Sequence, residues 1–390
     1  MVLPYRTSGF SSVSASSGER LTVRRIVLTV ATAQTKTPVN RAKLNALVER
    51  VALEVSEGRL PSAQVAVGYG GELVSFETFG DAQPNTRYRL QSVSRPFVAG
   101  ALWKVVDEYE LDLTAPVSTW IPGFCAGITL EEVATHRAGL AYAPLGAKRM
   151  ATRESRLQAM SRWQPDPETR GHIQFSLTST GWVIWEVVET VTGLSLPDFL
   201  AQRICGPLGL TAQLAVPVDQ QGDIAPMVLL GEAGDELDPW GPWYLDPAEV
   251  LARGEPSHSM IATAADVAMH YQGMLHSDVW SREIVAEGIR VWAREPAYGP
   301  IEHGGTDHPI SMGLFVTLRG DSWQQGWMPA TGSPETFGHG GAPCQQSFCD
   351  PVTGLSFAFL TNGYPASGYA LDRWGKNLSA VLLDLAGDLV

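Results

Sequence analysis

The sequence predicts a mixed α/β fold of the α+β type, with one antiparallel sheet made from both ends of the chain. Residues 62–80, SAQVAVGYGGELVSFETFG, alternate between apolar and polar side chains on both sides of GYGG, which is typical of a β-hairpin. Residues 346–363 repeat this pattern as strand, turn and strand, with DPVTG as the turn. Residues 93–290 show mainly helical spacing between Pro- and Gly-rich loops. Because strands flank a helical middle, we expect helices to pack on a shared sheet.

Two further helices are predicted beside these strands. Residues 38–57 carry apolar side chains such as Leu44 and Val48 at helical spacing, and Asn40 precedes them as an N-cap candidate. The last helix is predicted over about residues 368–386. Both helices are expected to pack on the sheet.

The chain is expected to divide into a tail and one large domain. Residues 1–36 are predicted to form a loose N-terminal tail. Residues 37–390 are predicted to form one domain, with a helical subdomain inserted at about 110–290. Residues 23–35, VRRIVLTVATAQT, resemble a signal peptide, but a Ser- and Gly-rich stretch precedes them. We therefore expect a cytoplasmic protein, with secretion as the alternative.

Charge and cysteine content exclude several classes of function. The formal net charge is −13, and this disfavours nucleic-acid binding, which needs a basic surface. No apolar run is long enough to span a membrane, so no membrane partner is expected. The four cysteines form no C-x-x-C pair, so neither a metal site nor a cofactor is predicted. The expected partner is a small-molecule substrate; the oligomeric state is left open.

A candidate nucleophile lies at the start of a predicted helix. Ser92 precedes this helix, and Arg95 follows three positions later, so both side chains lie on one face. Pro96 is tolerated there because a backbone N–H in the first turn of a helix has no acceptor within the helix. Free amides and the helix dipole at such a position stabilise developing negative charge. The segment therefore predicts a site that handles a carbonyl or another developing anion.

The segment around Ser92 resembles that of a known family. Residues 85–102, NTRYRLQSVSRPFVAGAL, are similar to the nucleophile segment of the serine β-lactamase and penicillin-binding-protein superfamily. The likeness is greatest to class C β-lactamases, D-aminopeptidases and family VIII-type carboxylesterases. Further segments match in the family's order, namely 111–124, 128–140, 192–211, 259–275 and 337–362. The resemblance covers about residues 40–385 and implies the β-lactamase/transpeptidase-like fold.

The resemblance also implies a set of site residues. The family's nucleophile falls on Ser92, and its H/K-x-G strand falls on His339, Gly340 and Gly341. This alignment implies an oxyanion hole formed by the backbone amides of Ser92 and Ala342. His339 and the two glycines would then line the substrate pocket.

Two positions depart from the family's pattern, and both concern proton transfer. The family's lysine falls on Arg95, whose guanidinium has a pKa above ~12 and does not act as a base. The family's Tyr-x-Asn/Ser motif should lie in residues 171–182. Phe175 is the best match to its tyrosine, with Ser176 and Leu177 as alternatives. None of the three carries a phenol, so the usual Ser–Lys–Tyr route is predicted to be weak or absent.

Other candidate residues have a functional and a structural interpretation. His339 is either a replacement base or only part of the pocket wall. His136, in a family landmark expected away from the nucleophile, is predicted to be structural. His258 is a candidate substrate contact, although an exposed loop histidine is the simpler interpretation. Cys344 is expected to be a buried neutral thiol rather than a second nucleophile.

Tryptophans are plentiful, with twelve in the chain. Loops on a rigid scaffold often bind ligands, and aromatic clefts suit apolar ligands. Four of these tryptophans lie in two Pro- and Gly-rich loops and, ordinary loop packing aside, are candidate substrate contacts: Trp240, Trp243, Trp323 and Trp327. Trp182 and Trp185, at helical spacing, are predicted to be in the core.

These observations favour an enzyme on a carbonyl compound that is bulky and hydrophobic, such as an ester, lactone, amide or polyketide-like molecule. Catalysis is predicted at Ser92, Arg95 and His339, with Phe175 in the substrate pocket. Cyclisation, elimination or transacylation in a biosynthetic pathway would fit such a site. The alternatives are an ordinary serine ester or amide hydrolase with a replacement base, and a small-molecule-binding relative without catalysis.

Overall fold

A computed structural model describes residues 26–27, 38–143, 149–230, 248–299, 305–321, 328–342, 344–365 and 376–390. Within these ranges, nine strands form one antiparallel sheet in the order β1-β3-β2-β12-β11-β10-β9-β8-β7. The strands are β1 Ile26–Val27, β2 Ser62–Tyr69, β3 Glu72–Gly80, β7 Ala293–Pro296, β8 Pro309–Met312, β9 Thr317–Leu318, β10 Phe337–Gly338, β11 Gln346–Asp350 and β12 Leu355–Thr361. The fold is the predicted α+β class.

Four shorter strands form two pairs outside this sheet. β4 (Tyr88–Arg89) runs antiparallel to β6 (Ile261–Ala262), and β5 (Val228–Leu230) runs parallel to β13 (Gly363–Pro365). The β4–β6 ribbon precedes the Ser92 turn directly. It therefore connects the large sheet to the helical middle at the candidate site.

The sheet joins distant parts of the chain, as predicted. β2 and β3 form the expected hairpin, and its turn residues Gly70 and Gly71 have φ angles of 60° and 84°. Glycine reaches this left-handed region without the steric cost that other residues incur. The C-terminal strand β12 then pairs with β2 over seven residues, from Leu355 opposite Tyr69 to Thr361 opposite Ala63.

Two residues of the predicted tail belong to the sheet. Ile26 and Val27 pair with Thr78 and Glu77 at the edge of β3. An edge strand offers unpaired amides and carbonyls to an added strand. The remaining residues of the tail lie outside the described ranges.

Helices cover both faces of the sheet. They are α1 Arg41–Ser56, α2 Arg95–Glu108, α3 Leu130–Ala134, α4 Arg153–Met160, α5 Ser179–Thr192, α6 Leu196–Leu200, α7 Ala248–Arg253, α8 Ala264–His276, α9 Arg282–Gly288 and α10 Lys376–Gly387. Single turns occur at Gln91–Ser94, Val117–Thr119 and Val218–Gln220, with a π-helical turn at Ala201–Cys205. The predicted N-cap of α1 is confirmed, because Asn40 Oδ1 accepts hydrogen bonds from the amides of Ala42 and Lys43.

The two faces of the sheet contribute to two apolar cores. Val65 and Val67 of β2 pack in the cluster beneath α1 and α10, whereas Ala66 between them packs in the cluster beneath α2 and α8. This alternation follows from the two-residue period of a strand. Each buried large apolar side chain contributes roughly 1.5–3 kcal/mol to folding. The helices on both faces therefore hold the sheet, and with it the strands that carry the candidate site.

Helix α2 is the central helix of the larger core. Phe97, Leu102 and Trp103 are fully buried, and the Trp103 indole N–H donates to the Leu314 carbonyl at 2.9 Å. The helix packs against α5 and α9. Because Ser92 and Arg95 stand at its start, core packing fixes their position. None of the described helices combines the length and apolarity that crossing a bilayer requires.

The contact between α2 and α9 predicts the effect of one substitution. A Cβ added at Gly288 would overlap the Trp103 indole, which its bond to Leu314 holds in place. We expect Gly288→Ala to lower the free energy of unfolding by about 1–3 kcal/mol, as measured by urea denaturation. Gly222→Ala is the control, because a Cβ there meets no atom within 4 Å. An unchanged stability in Gly288→Ala would contradict this packing.

Candidate active site

Ser92 lies in the short turn Gln91–Ser94, and α2 begins at the next residue. The turn is fastened to the segment before β6: the Leu90 amide donates to the Met260 carbonyl at 2.9 Å, and the Met260 amide donates to Ser94 Oγ at 3.1 Å. Gln91 has a φ angle of 52°, which is uncommon for a residue other than glycine. Ser92 is half-buried, and its hydroxyl makes no hydrogen bond among the residues that the structure describes. The predicted nucleophile is therefore held in place without a bonded base.

The predicted glycine strand lies against this turn. A Cβ added at Gly341 would come within 2.8 Å of the Leu90 carbonyl oxygen and 3.1 Å of the Ser92 amide nitrogen. Only a glycine permits this approach without displacement of the backbone. Gly340 and Ala342 flank Gly341 in the chain, so the Ala342 segment lies next to the Ser92 amide. The predicted oxyanion hole, formed by the amides of Ser92 and Ala342, requires this proximity.

Arg95 is buried and bonded to a different part of the site. Its Nη2 donates to the carbonyl oxygens of Ser176 at 2.7 Å and Leu177 at 3.3 Å. Its Nη1 lies 2.8 Å from His136 Nε2, and its guanidinium lies 5.5 Å from the Phe315 ring centroid. The guanidinium only donates hydrogen bonds. It therefore fixes the backbone of the predicted tyrosine segment and supplies positive charge, but it does not accept a proton.

Phe175 precedes the two carbonyls that Arg95 binds, and Arg95, His136 and residues 175–177 are called the Arg95 wall below. Its ring centroid lies 5.3 Å from that of His136 and 6.5 Å from that of His339, the latter in an edge-on arrangement. The Ser176 hydroxyl is instead bonded to Ser179 Oγ at 2.6 Å, and Leu177 is 38% exposed. Of the three residues considered for the tyrosine position, only Phe175 places a ring between the two histidines.

His136 belongs to the site, contrary to the expectation that it lies away from the nucleophile. Its φ angle of 58° turns the chain so that Nε2 meets Arg95, while Nδ1 lies 3.3 Å from the Ser176 amide nitrogen. Both ring nitrogens thus face N–H groups, but a neutral imidazole accepts a hydrogen bond at only one of them. Burial and the charge of Arg95 hold the pKa of His136 well below its usual value. The THRAGL motif was the sequence signal for His136. The contact between His136 and Arg95, however, arises only in the folded structure.

His339 is neutral as well. Its Nδ1 lies within hydrogen-bond distance of the Gly340 carbonyl oxygen, which can only accept, so Nδ1 carries the proton. Burial, and then the charge of Arg95, lower the pKa of His339 to about 3. A base this weak accepts a proton poorly at neutral pH. The geometry therefore favours His339 as part of the pocket wall over His339 as the base.

His258 is paired with a carboxylate that the sequence reasoning did not single out. His258 Nδ1 lies 2.5 Å from Glu255 Oε2, and the His258 side chain is 13% exposed. It is therefore not the exposed loop histidine of the simpler interpretation. The spacing Glu-x-x-His in EPSH was the available signal for this pair.

The remaining candidates lie away from this arrangement or outside the described residues. Cys344 is fully buried, and burial raises the pKa of its thiol, as expected for a structural cysteine. Trp182 and Trp185 are buried and stack at 4.8 Å, which confirms their core assignment. The loop tryptophans proposed as substrate contacts lie outside the described residues: Trp240, Trp243, Trp323 and Trp327.

Comparison with known proteins agrees with the predicted resemblance. The sequence model of the family described as Beta-lactamase matches residues 36–382. Penicillin-binding protein 4 of Amycolatopsis lactamdurans is 26% identical over 357 residues, covering 85% of this chain and 87% of the relative. Esterase EstB of Burkholderia gladioli is 26% identical over 365 residues, covering 82% and 90%.

A solved structure confirms the predicted β-lactamase/transpeptidase-like fold. A penicillin-binding protein homologue from Caulobacter crescentus superposes with a TM-score of 0.74 at 20% identity, covering 91% of this chain and 99% of that structure. The predicted family and the prediction of a β-lactamase-related enzyme are confirmed at the level of the family.

The bonds of Arg95 predict the stability of a variant that lacks them. Arg95→Met leaves the buried Ser176 carbonyl and the partly buried Leu177 carbonyl without this donor, and an unsatisfied buried acceptor costs about 1–3 kcal/mol. We expect a loss of about 3 kcal/mol in the free energy of unfolding, measured by urea denaturation. Arg162→Met, at an exposed position, is the matched control. A loss no larger than that of the control would show that Arg95 does not anchor this segment.

Proposed function

Because the chain belongs to the beta-lactamase family of serine hydrolases, we propose that it is an enzyme acting on the carbonyl group of a bulky, apolar small molecule. It does so without the lysine–tyrosine pair of its family. The substrate is an ester, lactone, amide or polyketide-like molecule. The reaction is transacylation, cyclisation or elimination in a biosynthetic pathway.

One observation carries this proposal: Arg95 and Phe175, the best matches to the two positions where the family moves protons, carry groups that cannot move them. Arg95 donates its guanidinium hydrogens to Ser176, Leu177 and His136, and Phe175 presents a ring without a hydroxyl. What remains is a serine hydroxyl beside a glycine strand. Backbone amides that point at a polarised carbonyl stabilise the negative charge that develops on its oxygen.

The apolar character of the substrate follows from side chains on the same wall. With Phe175 as the best match to the motif's tyrosine, Leu177 takes the position of the motif's polar amide or hydroxyl, and it is 38% exposed. Tyr298 is also an exposed large side chain. Tyr298 is attached to this wall because its amide donates to the Ile173 carbonyl at 2.7 Å. Exposed apolar groups around a cleft favour an apolar ligand.

Turnover of synthetic esters tests the proposal. We expect p-nitrophenyl esters with longer acyl chains to be better substrates, because each buried methylene contributes about 0.8 kcal/mol, or roughly fourfold in kcat/KM. Release of p-nitrophenol is measured for acetyl to octanoyl esters. Mass spectrometry, with an alcohol acceptor present, separates a new ester from the free acid. The new ester indicates transacylation, whereas the free acid alone indicates the replacement-base hydrolase.

Ser92→Ala should abolish this turnover, whereas Ser161→Ala, at an exposed position, should leave it unchanged. Turnover that survives in Ser92→Ala would show that the site is elsewhere. Binding of an apolar ester without any turnover would instead identify a non-catalytic binding relative.

Restoring the family's residues tests the interpretation of the two departures. The double variant Arg95→Lys/Phe175→Tyr regains an amine and a phenol near Ser92. General acid–base catalysis contributes about 10²–10⁴-fold, so we expect at least a tenfold gain in p-nitrophenyl acetate hydrolysis. Phe175→Tyr alone, which lacks the amine, is the control. A folded double variant with no gain would contradict the assignment of Arg95 and Phe175 to the proton-transfer positions.

A further inference from the structure

We propose that Glu295 is a positioning residue that sets the acyl-chain preference of the site. It does so by holding residues 172–177, the segment that carries Phe175, against the edge of the large sheet. The inference rests on the proposed function, because it assigns to this segment the contact with the acyl group of the substrate. Glu295 itself touches no reacting atom and acts through the segment.

Glu295 is a rigid anchor because it lies in the edge strand β7. Its backbone pairs with Ile310 in the β7–β8 ladder. From this strand the carboxylate reaches the helical middle of the chain. Oε1 accepts from the Ile173 amide at 2.6 Å, and Oε2 lies 3.2 Å from His172 Nδ1. The carboxylate therefore ties the start of the segment to the sheet.

Ile173 is held at both of its backbone polar groups by the same stretch of chain. Its amide donates to Glu295, and its carbonyl accepts from the Tyr298 amide at 2.7 Å. Ile173 is fully buried, so neither group reaches water. A buried N–H without an acceptor is costly, so loss of the carboxylate would make the segment move to regain a bond.

The other end of the segment is fixed by Arg95, through its bonds to the carbonyls of Ser176 and Leu177. Phe175 thus lies between two anchors, one on the sheet edge and one on α2. Its side chain packs against a small apolar cluster at this sheet edge, formed by Ile173, Ala297 and Met312. The sheet edge and α2 together determine where the Phe175 ring lies.

Contacts of Phe175 lead from the segment to the nucleophile. The ring lies edge-on to His339, with 6.5 Å between the centroids. Gly341, two residues later, packs against the Ser92 amide. A short acetyl group occupies only the corner at Ser92, whereas a longer chain extends along the Phe175 segment. Binding of the longer chain therefore depends on the position of the segment, and thus on Glu295.

The acyl-chain preference of Glu295→Ala tests the inference. We expect the ratio of kcat/KM for p-nitrophenyl octanoate to that for p-nitrophenyl acetate to fall about tenfold, because burial of each methylene is worth roughly fourfold in kcat/KM. The loss should appear as a higher KM for the octanoate, with kcat for the acetate unchanged. A merely structural defect would lower turnover of both esters alike.

Two further variants separate the bond to Ile173 from the pair with His172. Glu295→Gln keeps a carbonyl oxygen for the Ile173 amide, so we expect it to recover most of the octanoate preference. His172→Ala removes the partner of Oε2 and leaves the Ile173 bond, so we expect the wild-type preference. Asp307→Ala is the matched control, because Asp307 Oδ1 lies 2.8 Å from His308 Nδ1 in another His–carboxylate pair.

Hydrogen–deuterium exchange gives a readout that needs no substrate. In Glu295→Ala the Ile173 amide loses its acceptor, so peptides that span residues 172–177 should exchange about tenfold faster, because exchange follows the local opening equilibrium. Glu295→Gln and Asp307→Ala should exchange as the wild type does. Thermal unfolding establishes that each variant is folded.

A wild-type ester preference in folded Glu295→Ala would overturn the inference, and so would wild-type exchange of residues 172–177. An equal change in His172→Ala would overturn it too, because the Ile173 bond would then not be the cause. If Ser92→Ala abolishes ester turnover while Glu295→Ala keeps the octanoate preference, the proposed function stands and this assignment fails. If exchange rises in Glu295→Ala but the wild type turns over no ester, the proposed function fails together with the acyl preference, and only the anchoring by Glu295 stands.

Discussion

The guanidinium of Arg95 is bonded to the carbonyl groups of Ser176 and Leu177 and to the ring of His136, and the properties of the cleft follow from these contacts. A buried cation is costly unless it is hydrogen-bonded, and here backbone oxygens and an imidazole supply those bonds. The same bonds fix the segment that carries Phe175. Helix α2, which bears Arg95, is held by the largest apolar core, so the cation and the wall that it organises are both rigid.

A fixed positive charge determines the protonation of its neighbours. Burial and Arg95 together keep His136 and His339 neutral, which removes both rings as sources of a proton at neutral pH. The Arg95 wall can therefore stabilise negative charge but does not exchange protons.

Local patterns in the sequence were sufficient for much of the fold. Alternation and a Gly-Gly turn predicted the β2–β3 hairpin, and Asn40 marked the start of α1, because these features depend on neighbouring residues. The order of the family's segments predicted how the terminal strands join. The meeting of His136 with Arg95 was not predictable, since it depends on a positive φ angle and on tertiary packing. Likewise, the pairing of β4 with β6 joins segments that are far apart in the chain, and no sequence periodicity specifies it.

The β4–β6 ribbon is separate from the nine-stranded sheet, although it connects the sheet to the helical middle of the chain. Ser92 follows one strand of this ribbon, and His258 precedes the other. Ser92 also lies three residues before the buried Arg95 on the start of α2, and the bonds of Leu90 and Ser94 to Met260 tie the same turn to β6. The spacing between the serine hydroxyl and the fixed cation is thus set by the covalent chain and by these bonds, and it does not depend on ligand binding.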